Sequence, residues 1–286
     1  ATSEQGRRFT LGKFTHGATK LRVFPRADGK VKTWIDTPKM VAGLDPAFTH
    51  GGDRAVLTIG KVGLAQMDDT TVQKVFEIVK FYILDLDMTN TATSKSEWVV
   101  KLTKKHLDEH GVDVRDLAFD GTGGGEPFGA LIARDLGNGA LNVNFSSKAS
   151  DKPVSKSDPR PGNKRFHNMV SELWYVGKEF IRSGQLKGLQ PDIVTEMVAR
   201  TYEEVAGMVK VESKDDMKLR TKKSPDIADS AFLCLHMARM KHGLSSTETS
   251  TKRVVINKNR LLQQRIVWCV TCLFLPGRIS LKITRH

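Results

Sequence analysis

Hydrophobic and polar positions change period along the chain, and each change marks an element. Residues 40–47 (MVAGLDPA) form a short apolar run that stops at Asp45-Pro46, the pattern of a buried strand closed by a turn. Gly51-Gly52-Asp53 reads as a turn, and residues 54–60 (RAVLTIG) as the second strand of a hairpin. Residues 74–84 (KVFEIVKFYIL) are rich in β-branched and aromatic side chains and predict a third strand. The period then becomes helical over 94–110, with Ser94 or Ser96 as N-cap and Glu97 behind it. Residues 114–120 (VRDLAFD) return to a strand pattern, 127–135 predict a short helix, and 140–145 (ALNVNF) alternate as a strand. Over 163–183, Phe166, Met169, Val170, Leu173, Val176 and Phe180 recur at helical spacing. A second helix is predicted over 191–199, a strand pair around Gly207 over 202–212, and a last helix over 225–241 with Pro225 in its first turn. The polar stretch 146–162 reads as a long functional loop, and residues 1–40 as a lead-in with short strands at 20–24 and 31–35. No internal repeat is visible.

The order β-β-β-α-β-α-β-α, followed by helices, predicts an α/β fold with a mixed sheet covered by helices on both faces. With 286 residues, 39% of them hydrophobic, the chain can bury a core in one large domain or two small ones. The 45 basic side chains exceed the 32 acidic ones by 13, which favours a polyanion, nucleic acid above all, as partner. The excess is uneven: residues 244–286 carry eight Lys and Arg against Glu248 alone, a basic tail. Lys214, Lys218, Arg220, Lys222 and Lys223 form a second basic stretch, with Asp215 and Asp216 interleaved, that reads as a solvated loop. Three cysteines exclude a disulfide framework and suit a reducing compartment. There is no apolar run long enough for a membrane span and no apolar leader at the N-terminus, so the expected site of action is the cytoplasm.

Against this basic background some acids stand where chemistry is usual. Asp45 ends the first strand and Asp120 the fourth, and ligands of open α/β sheets sit beyond the carboxyl ends of strands. Asp226 and Asp229 lie at i and i+3 in the first turn of the last helix and share a face. Singly, each acid has a local role available: an Asx-turn for Asp45 and Asp120, the helix dipole for Asp226 and Asp229. Jointly, they repel one another and call for a cation, and hard oxygen donors suit Mg²⁺ or Mn²⁺. Two such ions would support phosphodiester hydrolysis.

Five strings strengthen the nuclease reading. Gly43-Leu44-Asp45-Pro46-Ala47-Phe48 with Gly51-Gly52-Asp53-Arg54-Ala55-Val56 resembles the first motif of the nuclease domain of the large terminase subunit of tailed double-stranded DNA phages. Residues 117–124 (LAFDGTGG) resemble its second acidic strand, and Phe166-His167-Asn168 with Glu172-Leu173-Trp174 its Asn…Glu helix. Residues 212–218 (ESKDDMK) and 224–231 (SPDIADSA) resemble its closing motifs. The resemblance spans residues 41–243 and keeps the family's motif order. It implies an RNase H-like (resolvase/integrase-type) fold and a Mg²⁺- or Mn²⁺-dependent endonuclease that cuts concatemeric viral DNA during genome packaging. Asp45, Asp120 and one of Asp226 and Asp229 would then ligate the metals, with Asp53 accessory. Lys214, Lys218, Arg220, Lys222, Lys223 and Arg54 would face DNA. The implied partners are double-stranded DNA, the terminase ATPase domain, the small terminase subunit and the portal, met in the host cytoplasm and transiently at the procapsid.

No G-x-x-x-x-G-K-[ST] occurs: Gly12-Lys13, Gly60-Lys61 and Gly177-Lys178 are followed by Phe14, Val62 and Glu179. The expected chain is therefore the nuclease part without the ATPase motor. Cys269 and Cys272 form one C-x-x-C with no second pair, and His106 and His110 lack a metal-site context, so zinc is not expected. A junction resolvase of the same fold and a non-catalytic DNA-binding packaging module are the competing readings.

Overall fold

The computed structural model describes residues 9–10, 27–46, 54–67, 72–85, 93–122, 125–155 and 158–246. Asp53, the strand expected at 20–24 and the tail from 247 onward, with Cys269 and Cys272, lie outside them.

In chain order the elements are β1 (Phe9–Thr10), β2 (Thr33–Trp34), β3 (Lys39–Asp45), β4 (Val56–Gln66), β5 (Val72–Ile83), α1 (Lys95–His110), β6 (Leu117–Asp120), α2 (Gly125–Asp135), β7 (Leu141–Val143), α3 (Met169–Arg182), β8 (Leu186–Lys187), α4 (Pro191–Ala199), β9 (Thr201–Val205), β10 (Met208–Val211), α5 (Lys214–Thr221) and α6 (Asp226–His242). The main sheet has the order β7-β6-β3-β4-β5-β8, and β2 pairs with the far end of β4. β3, β4 and β5 form an antiparallel meander, while β6 runs parallel to β3, and β7 to β6. A small sheet, β1-β9-β10, stands apart, so residues before 41 contribute strands to both sheets. The mixed sheet with helices on both faces is the expected α/β architecture.

Strand alternation sorts the core into two layers. Ala42 and Leu44 of β3 and Leu117 and Phe119 of β6 pack with Val99, Val100 and Leu107 of α1 and Phe128 and Ile132 of α2. Val41 and Ala118, one step out of phase, pack on the opposite face with α3 and α6. Asp45 and Asp120 share the phase of Val41 and Ala118 and therefore point to the α6 side. Gly43 is also in that phase, and a Cβ there would overlap the backbone of Ser230 and Cys234. The missing side chain lets α6 lie directly on β3. Gly177 does the same for α3, whose backbone meets the Phe232 ring of α6.

Some boundaries differ from the sequence reading, each for a local reason. Residues 114–116 form a 3-10 turn capped by the Asp113 carboxylate, which accepts from Arg115 N, so the strand starts only at Leu117. The helix expected from 163 starts at Met169, because Asn168 caps it by accepting from Ser171 N, while Phe166 bridges to Val209. α5 is a helix where a loop is expected. Ser213 caps it by accepting from Asp216 N, and of its side chains only Met217 is buried, too little for an apolar period.

Candidate active site

Asp45 and Asp120 end adjacent parallel strands whose register places Leu44 beside Phe119. Asp226 and Asp229 enter from the first turn of α6, where unpaired N–H groups favour negative charge. All four carboxylates are buried, none of these residues more than 7% exposed. Lys214, the first residue of α5, reaches into their midst. Its Nζ lies 2.6 Å from Asp45 Oδ2, 3.4 Å from Asp229 Oδ2 and 3.5 Å from Asp226 Oδ1.

Lys214, with Arg200 on Asp229 and Arg54 beside Asp226, does not balance this many carboxylates. Burial, reinforced by Asp229, Asp226 and Asp120 and opposed by Lys214, pushes the Asp45 carboxyl up to about 8. Burial also raises Asp120, although the Thr122 N–H donates to its Oδ1 at 2.8 Å and works the other way. Burial would lower Lys214, but Asp45, Asp229 and Asp226 together hold it well above the ordinary lysine range.

The sequence leaves Asp226 and Asp229 equivalent, and their surroundings separate them. Both oxygens of Asp226 are engaged: Oδ2 accepts from Arg54 N at 3.0 Å and Oδ1 from Ser224 Oγ at 2.5 Å. Asp229 is one-sided. Its Oδ1 accepts from Trp174 Nε1 at 2.6 Å and from Arg200 Nη1 at 3.0 Å, whereas its buried Oδ2 has no hydrogen-bond donor and meets only the Lys214 charge.

A fifth acid, Glu196 of α4, borders the group and escapes the sequence reading. Its Oε1 accepts from Arg54 Nη2 at 2.7 Å and its Oε2 from Ala228 N at 2.8 Å, at the start of α6. Burial pushes it up to about 7 against Ala228 and Arg54, with Asp226 and Asp229 adding to the shift. Its one signal is its spacing three residues after the buried Ile193, on the apolar stripe of α4.

Clustered buried carboxylates, an unpartnered buried oxygen on Asp229 and an all-oxygen donor set suit a hard divalent cation. Among the described residues no three His, Cys, Asp or Glu side chains form a ready-made metal cage. The Lys214 ammonium stands between the acids, so a cation entering there would have to displace it.

The other expected residues divide. Arg54 lies at the rim, 41% exposed, paired with Glu196 and 3.7 Å from Asp226. Lys214 lies inside the acid group. Arg220 turns its guanidinium inward to Glu212, at 2.9 and 2.6 Å, and to Ala199 O. Lys222 and Lys223 are exposed and Lys218 half-buried on and after α5. Asp53 falls outside the described residues. His106 and His110 bond to Glu109 and to the Tyr82 hydroxyl. Asn168 and Glu172 serve the fold: Asn168 caps α3, and Glu172 accepts from Ser150 and Arg239.

No protein family matches the sequence, and no curated protein is similar to it. Solved structures similar to this chain include gp2c and nuclease-domain structures of the large terminase subunit of bacterial virus Sf6. A mutant with calcium is 14% identical, covering 73% of this chain and 95% of that one, with a TM-score of 0.49. A mutant with manganese is 14% identical with the same coverages and a TM-score of 0.47. Another nuclease-domain structure is 16% identical, covering 73% and 94%, with a TM-score of 0.47.

Proposed function

We propose that this chain is a Mg²⁺- or Mn²⁺-dependent endonuclease acting on double-stranded viral DNA during genome packaging. The observation that carries the reading is the buried group Asp45, Asp120, Asp226 and Asp229, which holds more negative charge than Lys214 neutralises. Such a group is costly to bury and is kept where a divalent cation repays it. Asp45, Asp120 and Asp229 would hold the metal, and Asp226, engaged by Arg54 N and Ser224, would fix the hairpin against α6. Two bound ions would supply Lewis acidity and a water ionised at neutral pH.

The remaining work falls to side chains of the rim. Arg54, half out of the site and held by Glu196, would meet a phosphate. Lys222 and Lys223, exposed just before Ser224, would extend the positive rim. Contacts of this kind are salt-sensitive and carry little sequence information, so the cut position would be set by partners. The packaging setting, the concatemeric substrate and the partners (ATPase motor, small terminase subunit and portal, in the infected cytoplasm) rest on the sequence resemblance. No helix among the described residues is long and apolar enough to cross a membrane.

Plasmid cleavage in Mn²⁺ tests the reading. Wild-type protein should cut, and Asp45→Ala should abolish cutting while still retarding DNA in a gel. Normal cleavage by Asp45→Ala overturns the site, and DNA binding by a wild type that never cuts leaves a packaging module without catalysis.

A further inference from the structure

We propose that Trp174 and Arg200 are positioning residues that lock Asp229 as a single-oxygen ligand for the cation. The inference rests on the metal-dependent reading above. Two donors converge on Asp229 Oδ1, the Trp174 indole N–H at 2.6 Å and Arg200 Nη1 at 3.0 Å. Each donor is itself held. The Arg200 guanidinium lies over the Trp174 ring, 4.6 Å from its centroid, and its Nε donates to Glu212 O at 2.8 Å. The Trp174 ring meets Phe232 edge-on, with centroids 5.1 Å apart. Trp174 is 1% exposed and Arg200 2%, so water offers no replacement donors.

The arrangement removes a degree of freedom from the carboxylate. Rotating Asp229 about its last bond would break two charge-assisted hydrogen bonds inside the protein. Oδ1 is therefore committed away from the acid group, and Oδ2, which has no hydrogen-bond donor, is committed toward Asp45 and Lys214. A carboxylate fixed in this way meets a cation through Oδ2 alone. Groups that orient a ligand's second atom commonly change metal affinity by about 10- to 100-fold when removed. Trp174 and Arg200 meet the acid group at Asp229 Oδ1, so their influence passes through Asp229.

Trp174→Phe keeps the ring and deletes only the donor. The full chain should bind Mn²⁺ about 10-fold more weakly, read by titration calorimetry and by the electron paramagnetic signal of free Mn²⁺. The Mn²⁺ concentration for half-maximal cleavage should rise by the same factor, with the saturated rate within about 3-fold of wild type. A purely structural role would lower the melting temperature and leave the affinity of the folded protein unchanged, which overturns the proposal. If Trp174→Phe does not fold, the wild-type indole N–H resonances replace it. On Mg²⁺ addition the Trp174 signal, assigned by Phe substitution of Trp34, Trp98 and Trp268, should shift most, and saturation without that shift overturns the proposal. A wild type that neither binds Mn²⁺ nor cuts DNA overturns the metal reading and this inference with it. Wild-type binding with an unaltered Trp174→Phe affinity overturns this inference alone.

Discussion

Glu172 of α3 and Asp229 of α6 are both sealed from solvent on neighbouring helices, yet their surroundings follow opposite rules. Glu172 meets one guanidinium, Arg239 at 3.3 Å, and two neutral donors, Ser150 N at 2.6 Å and Ser150 Oγ at 2.8 Å. One charge meets one charge, and both oxygens are engaged. Asp229 also has a guanidinium, Arg200 at 3.0 Å on Oδ1, but its Oδ2 shares the single Lys214 ammonium with Asp45 and Asp226 and has no hydrogen-bond donor. Balanced, saturated pairing ties Ser150 to α3 and α6 and leaves nothing for a ligand to do. Unbalanced pairing is what a cation site needs before the cation arrives. Burial alone separates nothing, since Glu172 is 0% and Asp229 1% exposed.

The largest expected difference between the two regions comes from making each carboxylate neutral. Asp45→Asn should lower Mn²⁺-dependent cleavage by about 1,000-fold, equivalent to roughly 4 kcal/mol in barrier. Its stability in EDTA should stay level or rise, because the amide imposes the neutral form that burial already favours at this carboxyl. Glu172→Gln should do the reverse. It leaves Arg239 buried without its counter-charge, which costs about 3–5 kcal/mol of folding stability, while the folded fraction still cuts. Urea unfolding alongside plasmid cleavage checks both. If Asp45→Asn destabilises as much as Glu172→Gln, the two clusters do not differ in kind.

A pH experiment sharpens the balanced side. His236 is buried near Arg239 and Lys152. Burial, then those two cations, pushes it down to about 3. Above its unfolded value of about 6.5 the ring is neutral in both states and contributes no pH dependence. Between about 6.5 and 3 the unfolded chain takes up a proton that the folded protein refuses, so stability falls as pH falls. The slope is at most about 1.4 kcal/mol per pH unit from this group. Below about 3 the loss is complete. His236→Leu should flatten the wild-type slope between pH 6 and 4 in urea titrations. An unchanged slope would remove His236 from the account.

How much of this was legible in the sequence follows from the range of each interaction. Asp45 and Asp120 can be placed because strand period and strand ends are local properties, and Asp226 and Asp229 because a helix start is. Lys214 reads as one of several lysines in a polar stretch, since its place is fixed by contact with Asp45, 169 residues away. Trp174 and Arg200 look like an aromatic on an apolar face and a charge after a helix. Only their meeting at Asp229, 55 and 29 positions on, gives them a role. Glu196 hides in the same way, bonded to Arg54 at a separation of 142. The fold is legible further than the site because periods are written locally, and α5 is the exception because a single buried Met217 writes no period.

That exception gives the smallest predicted effect and ties α5 back to the unbalanced cluster. Ser213 Oγ accepts from Asp216 N at 3.1 Å and donates to Asp216 Oδ2 at 2.8 Å, so it sets where α5 begins. Lys214 is the next residue, and its Nζ reaches the acids only from that start. Ser213→Ala should cost about 1 kcal/mol of stability, and the cost should divide unevenly between states. In EDTA the Lys214 ammonium is the cation the acids share, so fraying α5 loosens their pairing and the full cost appears. If saturating Mn²⁺ gives the acids another counter-charge and displaces Lys214, the difference between variant and wild type should shrink. Thermal midpoints of both proteins in EDTA and in Mn²⁺ measure it. An equal difference in the two conditions would mean that the cap supports α5 alone and that Lys214 does not exchange with the metal.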